Sequence, residues 1–148
     1  METRVAIVTG GLRGLGRAMA FGLARHGYRV VAVGHIEADV AEIEAVAANL
    51  PGQILPLVAD LRRPAECDRV VATASQRFGA VHILVNNAGL TFTTIDPARF
   101  RRAEPQKFWQ VPDDVVQAVI ETNYIAADRW PAASRRAWSK RAGAASSM

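Results

Sequence analysis

From the N-terminus, short apolar runs alternate with longer stretches in which apolar residues recur every three or four positions. Residues 5–9 form the first run, short and rich in β-branched residues, as a buried parallel strand is. A glycine-rich turn follows. Leu15, Ala18, Met19, Gly22 and Leu23 then fall on one face of a helix that ends at His26-Gly27, with Gly27 placed for a left-handed cap. Residues 28–33 predict a second buried strand. Residues 39–49 predict a helix with Val40, Ile43, Ala47 and Leu50 on one side, broken by Pro51-Gly52. Residues 54–59 predict a third strand, whose Pro56 is easiest to seat at a sheet edge. Residues 65–78 predict a helix with Cys67, Val70, Val71, Ala74 and Phe78 inward and Gly79 as its stop. Residues 81–85 predict a fourth strand, followed by the turn Asn86-Asn87-Ala88-Gly89. Residues 90–111 make a long connection carrying Pro97 and Pro105, read as a surface insertion or a substrate-facing loop. Pro112-Asp113-Asp114 then opens a last helix, in which Val115, Val116, Val119, Ile120 and Asn123 keep helical spacing and predict an amphipathic core helix.

Strand and helix alternate with short connections, which makes the class α/β. Right-handed crossovers give a parallel sheet in the order 3-2-1-4. That order puts a switch point between the first and fourth strands. The glycine-rich turn and the Asn-Asn-Ala-Gly turn both lie there, on the carboxyl edge where ligands bind.

The candidate chemistry sits at that edge. Gly10, Gly14 and Gly16 let the backbone turn sharply and come close to a ligand. The helix opening on them directs its N–H groups and positive dipole end to where a pyrophosphate can rest. A tight strand-to-helix connection with no ligand also fits three glycines, but the flanking strand and helix favour a nucleotide. At the end of the second strand, a carboxylate would hold the ribose 2′-hydroxyl of NAD and repel a 2′-phosphate. Gly34 and His35 stand there instead, and Glu37 comes late. Arg13 lies in the turn, where a guanidinium reaches a 2′-phosphate, so the cofactor expected is NADP before NAD. Arg13 and His35 also read as solvated loop residues. Asp60 is placed to accept a hydrogen bond from an adenine amino group, and serves equally as a turn or cap residue before the next helix.

Composition narrows the setting. A chain of 148 residues suits one domain, and 50% hydrophobic content supports a real core. No apolar stretch is long enough to span a membrane, and the N-terminus enters a strand without signal-peptide anatomy. Cys67 is the sole cysteine, so no disulfide staples the chain, a reducing cytoplasm is the expected setting, and no metal site is expected. The net charge of +4 hints at nucleic acid, but all 14 acidic residues lie at or before Asp128. Setting aside Arg129, Arg135, Arg136, Lys140 and Arg141 leaves 13 basic against 14 acidic groups in residues 1–128, a net of −1. The basic character belongs to the tail, and neither nucleic acid nor membrane is an expected partner.

With these residues in place, the chain resembles the short-chain dehydrogenase/reductase family over roughly residues 4–129. Thr9-Gly10-Gly11-Leu12-Arg13-Gly14-Leu15-Gly16, Asp60, Asn86-Asn87-Ala88-Gly89 and Asn123 carry the likeness. The resemblance implies a Rossmann-like doubly wound sheet and hydride transfer between NAD(P) and an alcohol or ketone. It also implies a homo-oligomeric intact enzyme, with the helix after Pro112 against a partner subunit. It assigns the cofactor to Thr9, Gly10, Arg13, Gly14, Leu15, Gly16, His35, Asp60, Leu61, Asn87, Ala88 and Gly89. It gives Asn123 a supporting role in the proton relay.

The family's chemistry also needs a Ser and a Tyr-x-x-x-Lys, and here the likeness stops. The positions four after Tyr28 and Tyr124 are Ala32 and Asp128, and Ser134, Ser139, Ser146 and Ser147 match nothing. The expected state is therefore a cofactor-binding part, residues 1–129, ending before the catalytic strand and inactive alone. A non-catalytic nucleotide-binding module is the alternative. Residues 130–148 form an atypical basic tail without apolar period. Back-translated with GC-rich codons and read two bases on, that tail becomes a helix end, a Pro-Gly-Met turn, Gly-Arg and an apolar pair before Asn, similar to the family's continuation. The tail is thus read as out-of-frame, which the coding DNA decides; a natural divergent tail is the alternative.

Overall fold

The structure is a computed structural model that describes residues 3–98, 101, 103, 104 and 106–130. Four parallel strands form one sheet: β1 (Val5–Thr9), β2 (Arg29–Gly34), β3 (Gln53–Val58) and β4 (Ile83–Val85). Their order is β3-β2-β1-β4, as the alternation predicts. Ile7 of β1 lies in register with Val31 of β2 on one side and Leu84 of β4 on the other. All five β1 residues are buried, so an unbroken apolar run fills the sheet centre, where both faces are covered.

Side chains alternate between two cores. Val5, Ile7, Val31 and Val33 pack with Cys67, Val70, Val71, Ala74 and Phe78 of α3 (Pro64–Phe78) on one face. Val8, Val30 and Ala32 pack on the other with Ala20, Phe21 and Ala24 of α1 (Gly14–Arg25) and Ile43 of α2 (Val40–Ala47). Burial of each Val or Ile contributes about 1.5–3 kcal/mol, so this layered packing carries the fold. The five inward residues expected of α3 are all buried, and Gly79 ends it at φ +92°. Gly27 caps α1 at φ +81°. β3 is an edge strand, and Pro56 sits within it opposite Ala32. Cys67 is buried with its Sγ 3.5 Å from the Leu61 carbonyl oxygen, and burial pushes the thiol up, which suits a core residue.

Two expected helix faces differ. In α1 the buried residues are Gly16, Ala20, Phe21 and Ala24, whereas Leu15 is 69% exposed and Ala18 is exposed. Small residues let α1 lie close on the sheet, and the larger ones of the predicted stripe fall to its margin and to the cleft at its first turn. The last helix, α5 (Asp113–Ile120), has no buried residue and leaves Val116 and Ile120 exposed, so it is a surface helix and not a core one. Helical spacing marks an apolar stripe but does not say what covers it.

Between β4 and α5 the long connection holds a short helix α4 (Phe92–Ile95) and a single 3-10 turn at Phe108–Gln110. α5 continues through a π turn at Glu121–Ile125 and remains helical to residue 130. Trp130 is buried in the α3-side core, so the packed body includes it. The rest of the basic tail, and the out-of-frame expectation attached to it, lies outside the described residues. Among the described residues no helix is long and apolar enough to cross a membrane.

Candidate functional site

The chain bends sharply after β1. Gly10 takes φ +64° and Gly14 φ +54°, conformations that side chains with a Cβ resist. The three glycines serve different ends. A Cβ on Gly10 would meet Ala88 Cα and Asn87 Nδ2, both at 2.9 Å. A Cβ on Gly16 would stand 2.1 Å from the Gly10 carbonyl oxygen and 2.4 Å from Asn87 Nδ2. Those two glycines let the turn close on its own neighbours. At Gly14 a Cβ would meet nothing within 4 Å, so this backbone faces open space at the mouth of α1.

Thr9 and Asn87 lock the turn to β4. The Thr9 hydroxyl donates to the Val85 carbonyl oxygen at 3.2 Å and accepts the N–H groups of Asn87 and Ala88, each at 3.0 Å. Asn87 Nδ2 donates to the Thr9 carbonyl oxygen at 3.0 Å and to that of Gly10 at 3.4 Å. Thr9 is buried, and its hydroxyl is taken up by these three bonds. It shapes the turn and does not line the cleft, although the resemblance assigned it to the cofactor.

A cleft of about 720 Å³ opens above this seam. Gly10, Arg13, Gly14, Leu15, Gly16, His35, Asp60, Leu61, Asn87, Ala88 and Gly89, all expected at the cofactor, lie along its wall. Leu15, exposed at the first turn of α1, stands along its wall. α1 meets it without a side-chain cap at Arg13 and without an acidic residue in its first turn. The contrast with α5, which opens on Asp113 and Asp114, is electrostatic: the α1 terminus keeps its unneutralised N–H groups for an anion. Open backbone at Gly14 and an uncapped positive helix end fit a pyrophosphate.

Other residues reach the cleft without having been anticipated. Arg62 folds onto Asp60, its Nε donating to Oδ1 at 2.9 Å and its Nη2 to Oδ2 at 2.8 Å. That guanidinium holds the Asp60 carboxyl below its ordinary value. Adjacency in sequence was the one signal for Arg62. Asp39 enters beyond the end of β2, and Ile36, Ala59, Leu90, Thr91 and Thr122 also line the wall. Gly34 is at the β2 tip because Leu12, itself buried, packs there: a Cβ on Gly34 would meet Leu12 Cδ1 at 2.9 Å.

Asn123 stands in the π turn, and its amide pairs with the backbone of residue 90. Oδ1 accepts the Leu90 N–H at 2.7 Å and Nδ2 donates to the Leu90 carbonyl oxygen at 2.9 Å. It is thus brought against the strand-end turn, one residue beyond Gly89, and fixes where the chain leaves β4. Among the described residues no group of three or more His, Cys, Asp or Glu is placed to hold a metal ion.

The short chain dehydrogenase family model matches residues 4–143, past the 4–129 stretch of the sequence likeness. The chain is 47% identical over 94 residues to 2-dehydro-3-deoxy-D-gluconate 5-dehydrogenase of Escherichia coli (strain K12), covering 61% of this chain and 35% of that one. It is 42% identical over 92 residues to 1,6-dihydroxycyclohexa-2,4-diene-1-carboxylate dehydrogenase of Pseudomonas putida, covering 61% and 33%. A solved Serratia marcescens short-chain dehydrogenase/reductase superposes with a TM-score of 0.73 at 28% identity, over 90% of this chain and 50% of that one. The matched part of each curated relative is therefore about a third of its length.

Proposed function

The chain belongs to the short-chain dehydrogenase family, and on that premise we propose that its cleft binds a nicotinamide dinucleotide, NADP in preference to NAD. The whole protein then interconverts a small-molecule alcohol and ketone. The observation that carries this reading is the uncapped α1 terminus opening on Gly14 at the β1–β4 switch point. The amides of that first turn hold the pyrophosphate, Asp60 and Leu61 border the adenine, and Arg13 meets a 2′-phosphate. Ala88 and Gly89 bring backbone to the other wall.

When bound, the coenzyme supplies the hydride chemistry. The chain's own residues bind and orient: Thr9 and Asn87 hold the turn shut, and Asn123 fixes the exit from β4. No Tyr in the 148 residues is followed four positions later by Lys. A proton relay of the family type therefore has no Tyr–Lys pair here, and the 148-residue chain binds without turning over. On α5 and the π turn after it, Val116, Ile120 and Tyr124 are 44%, 51% and 74% exposed, a stripe that suits a partner subunit of the intact enzyme.

Titration calorimetry of the 148-residue chain with NADPH and NADH tests the reading. The expected result is one saturable site for each, with NADPH tighter by about tenfold. Reduced-nicotinamide absorbance stays constant when ketones are added. Absence of binding heat with both coenzymes would contradict the reading.

A further inference from the structure

Arg13 is already engaged in the cleft. Its Nε lies 3.3 Å from Asp39 Oδ2, and the Asp39 side chain is only 17% exposed against 64% for Arg13. Asp39 ends the 3-10 turn Glu37–Asp39, beyond the β2 tip, and lines the cleft with Gly34, His35 and Ile36. The tip itself has no room for an acidic side chain while Leu12 packs on Gly34. A carboxylate nevertheless reaches the corner beside β2, supplied from five residues farther along the chain.

We propose that Asp39 is a specificity-determining residue of the coenzyme site: by pairing with Arg13 it withholds the guanidinium from a 2′-phosphate and narrows the margin of NADP over NAD. The inference rests on the dinucleotide reading of the cleft. A 2′-phosphate entering this corner brings negative charge toward the Asp39 carboxylate and must share or break its pair with Arg13. A 2′-hydroxyl carries no charge and donates a hydrogen bond that a carboxylate accepts. One residue thus opposes the first ligand and welcomes the second. Because Asp39 is largely covered, water screens it less than it screens the outer Arg17–Glu42 pair.

The test is calorimetry of the 148-residue chain with NADPH and with NADH, using the wild type, Asp39→Asn, Arg13→Gln and the double variant. Asp39→Glu serves as the variant that keeps the charge. Asp39→Asn is expected to tighten NADPH by about tenfold and to leave NADH unchanged or weaker by roughly threefold. With Arg13→Gln already present, the same change should tighten NADPH by less than about threefold, because the guanidinium it would release is absent. Asp39→Glu should keep the ratio of the two affinities within about twofold of wild type. An unchanged ratio in Asp39→Asn, or an equal gain with and without Arg13, overturns the inference while both coenzymes still bind. A wild-type chain that binds neither coenzyme overturns the dinucleotide reading and this inference with it.

Discussion

Gly16→Ala is expected to destabilise the chain by about 2–3 kcal/mol and to remove measurable coenzyme binding. The new methyl would stand 2.1 Å from the Gly10 carbonyl oxygen and 2.7 Å from its carbonyl carbon. Both are backbone, so no rotamer change relieves the clash. Either α1 lifts from the sheet or the turn at Gly10 opens. In the second case Asn87 Nδ2, 2.4 Å from the same methyl, loses its bonds to Thr9 and Gly10. Both routes displace the first-turn amides that the proposal assigns to the pyrophosphate. For a chain of this length the stability loss corresponds to a fall in melting temperature of roughly 5–10 °C, readable by circular dichroism. Calorimetry with NADPH on the folded variant reads the second effect.

Thr9→Val should cost a similar amount, about 2–3 kcal/mol, for an electrostatic reason and not a steric one. Valine keeps the shape and β propensity of threonine. It removes the oxygen that accepts the Asn87 and Ala88 N–H groups and donates to the Val85 carbonyl oxygen. Two part-buried amide hydrogens at the β1–β4 seam then have no acceptor, and a buried orphan costs roughly 1–3 kcal/mol. Thr9→Ser keeps the hydroxyl and is expected to lose only about 1 kcal/mol. Urea melts of both variants check the pair; equal losses would place the effect in packing.

The elements best read from the sequence are those whose neighbours are also determined by it. α3 carries an apolar stripe that meets an unbroken buried sheet, so all five inward residues follow from period alone. Pro56 has one comfortable position, an edge, and β3 occupies it. The glycine-rich turn and the Asn-Asn-Ala-Gly turn meet because strand order puts β1 beside β4.

Where the reading fell short, a residue's surroundings were set by tertiary geometry that spacing does not encode. Leu15 has the helical period of a core residue but lies in the first turn of α1, beside the cleft. Val116 and Ile120 keep a helical period on a helix that the described residues leave uncovered. The sequence marks Asp39 only as the start of a helix; the 3-10 turn that precedes α2 swings its carboxylate onto Arg13. Arg62 carries no motif, and only its two-position distance from Asp60 hints at their contact. The Thr9 hydroxyl is committed inside the protein, a use that its place in the glycine-rich turn does not announce.

The most direct measurement is an amide-resolved NMR titration of the 148-residue chain with NADPH. The account predicts saturable shifts at the amides of Gly14, Leu15 and Gly16, at Leu61 and Arg62, and at Ala88 and Gly89. None is expected at Arg25, Ala45 and Val46 on the outer α1–α2 groove. Shifts confined to that outer groove, with Gly14, Leu15 and Gly16 unmoved, would contradict it.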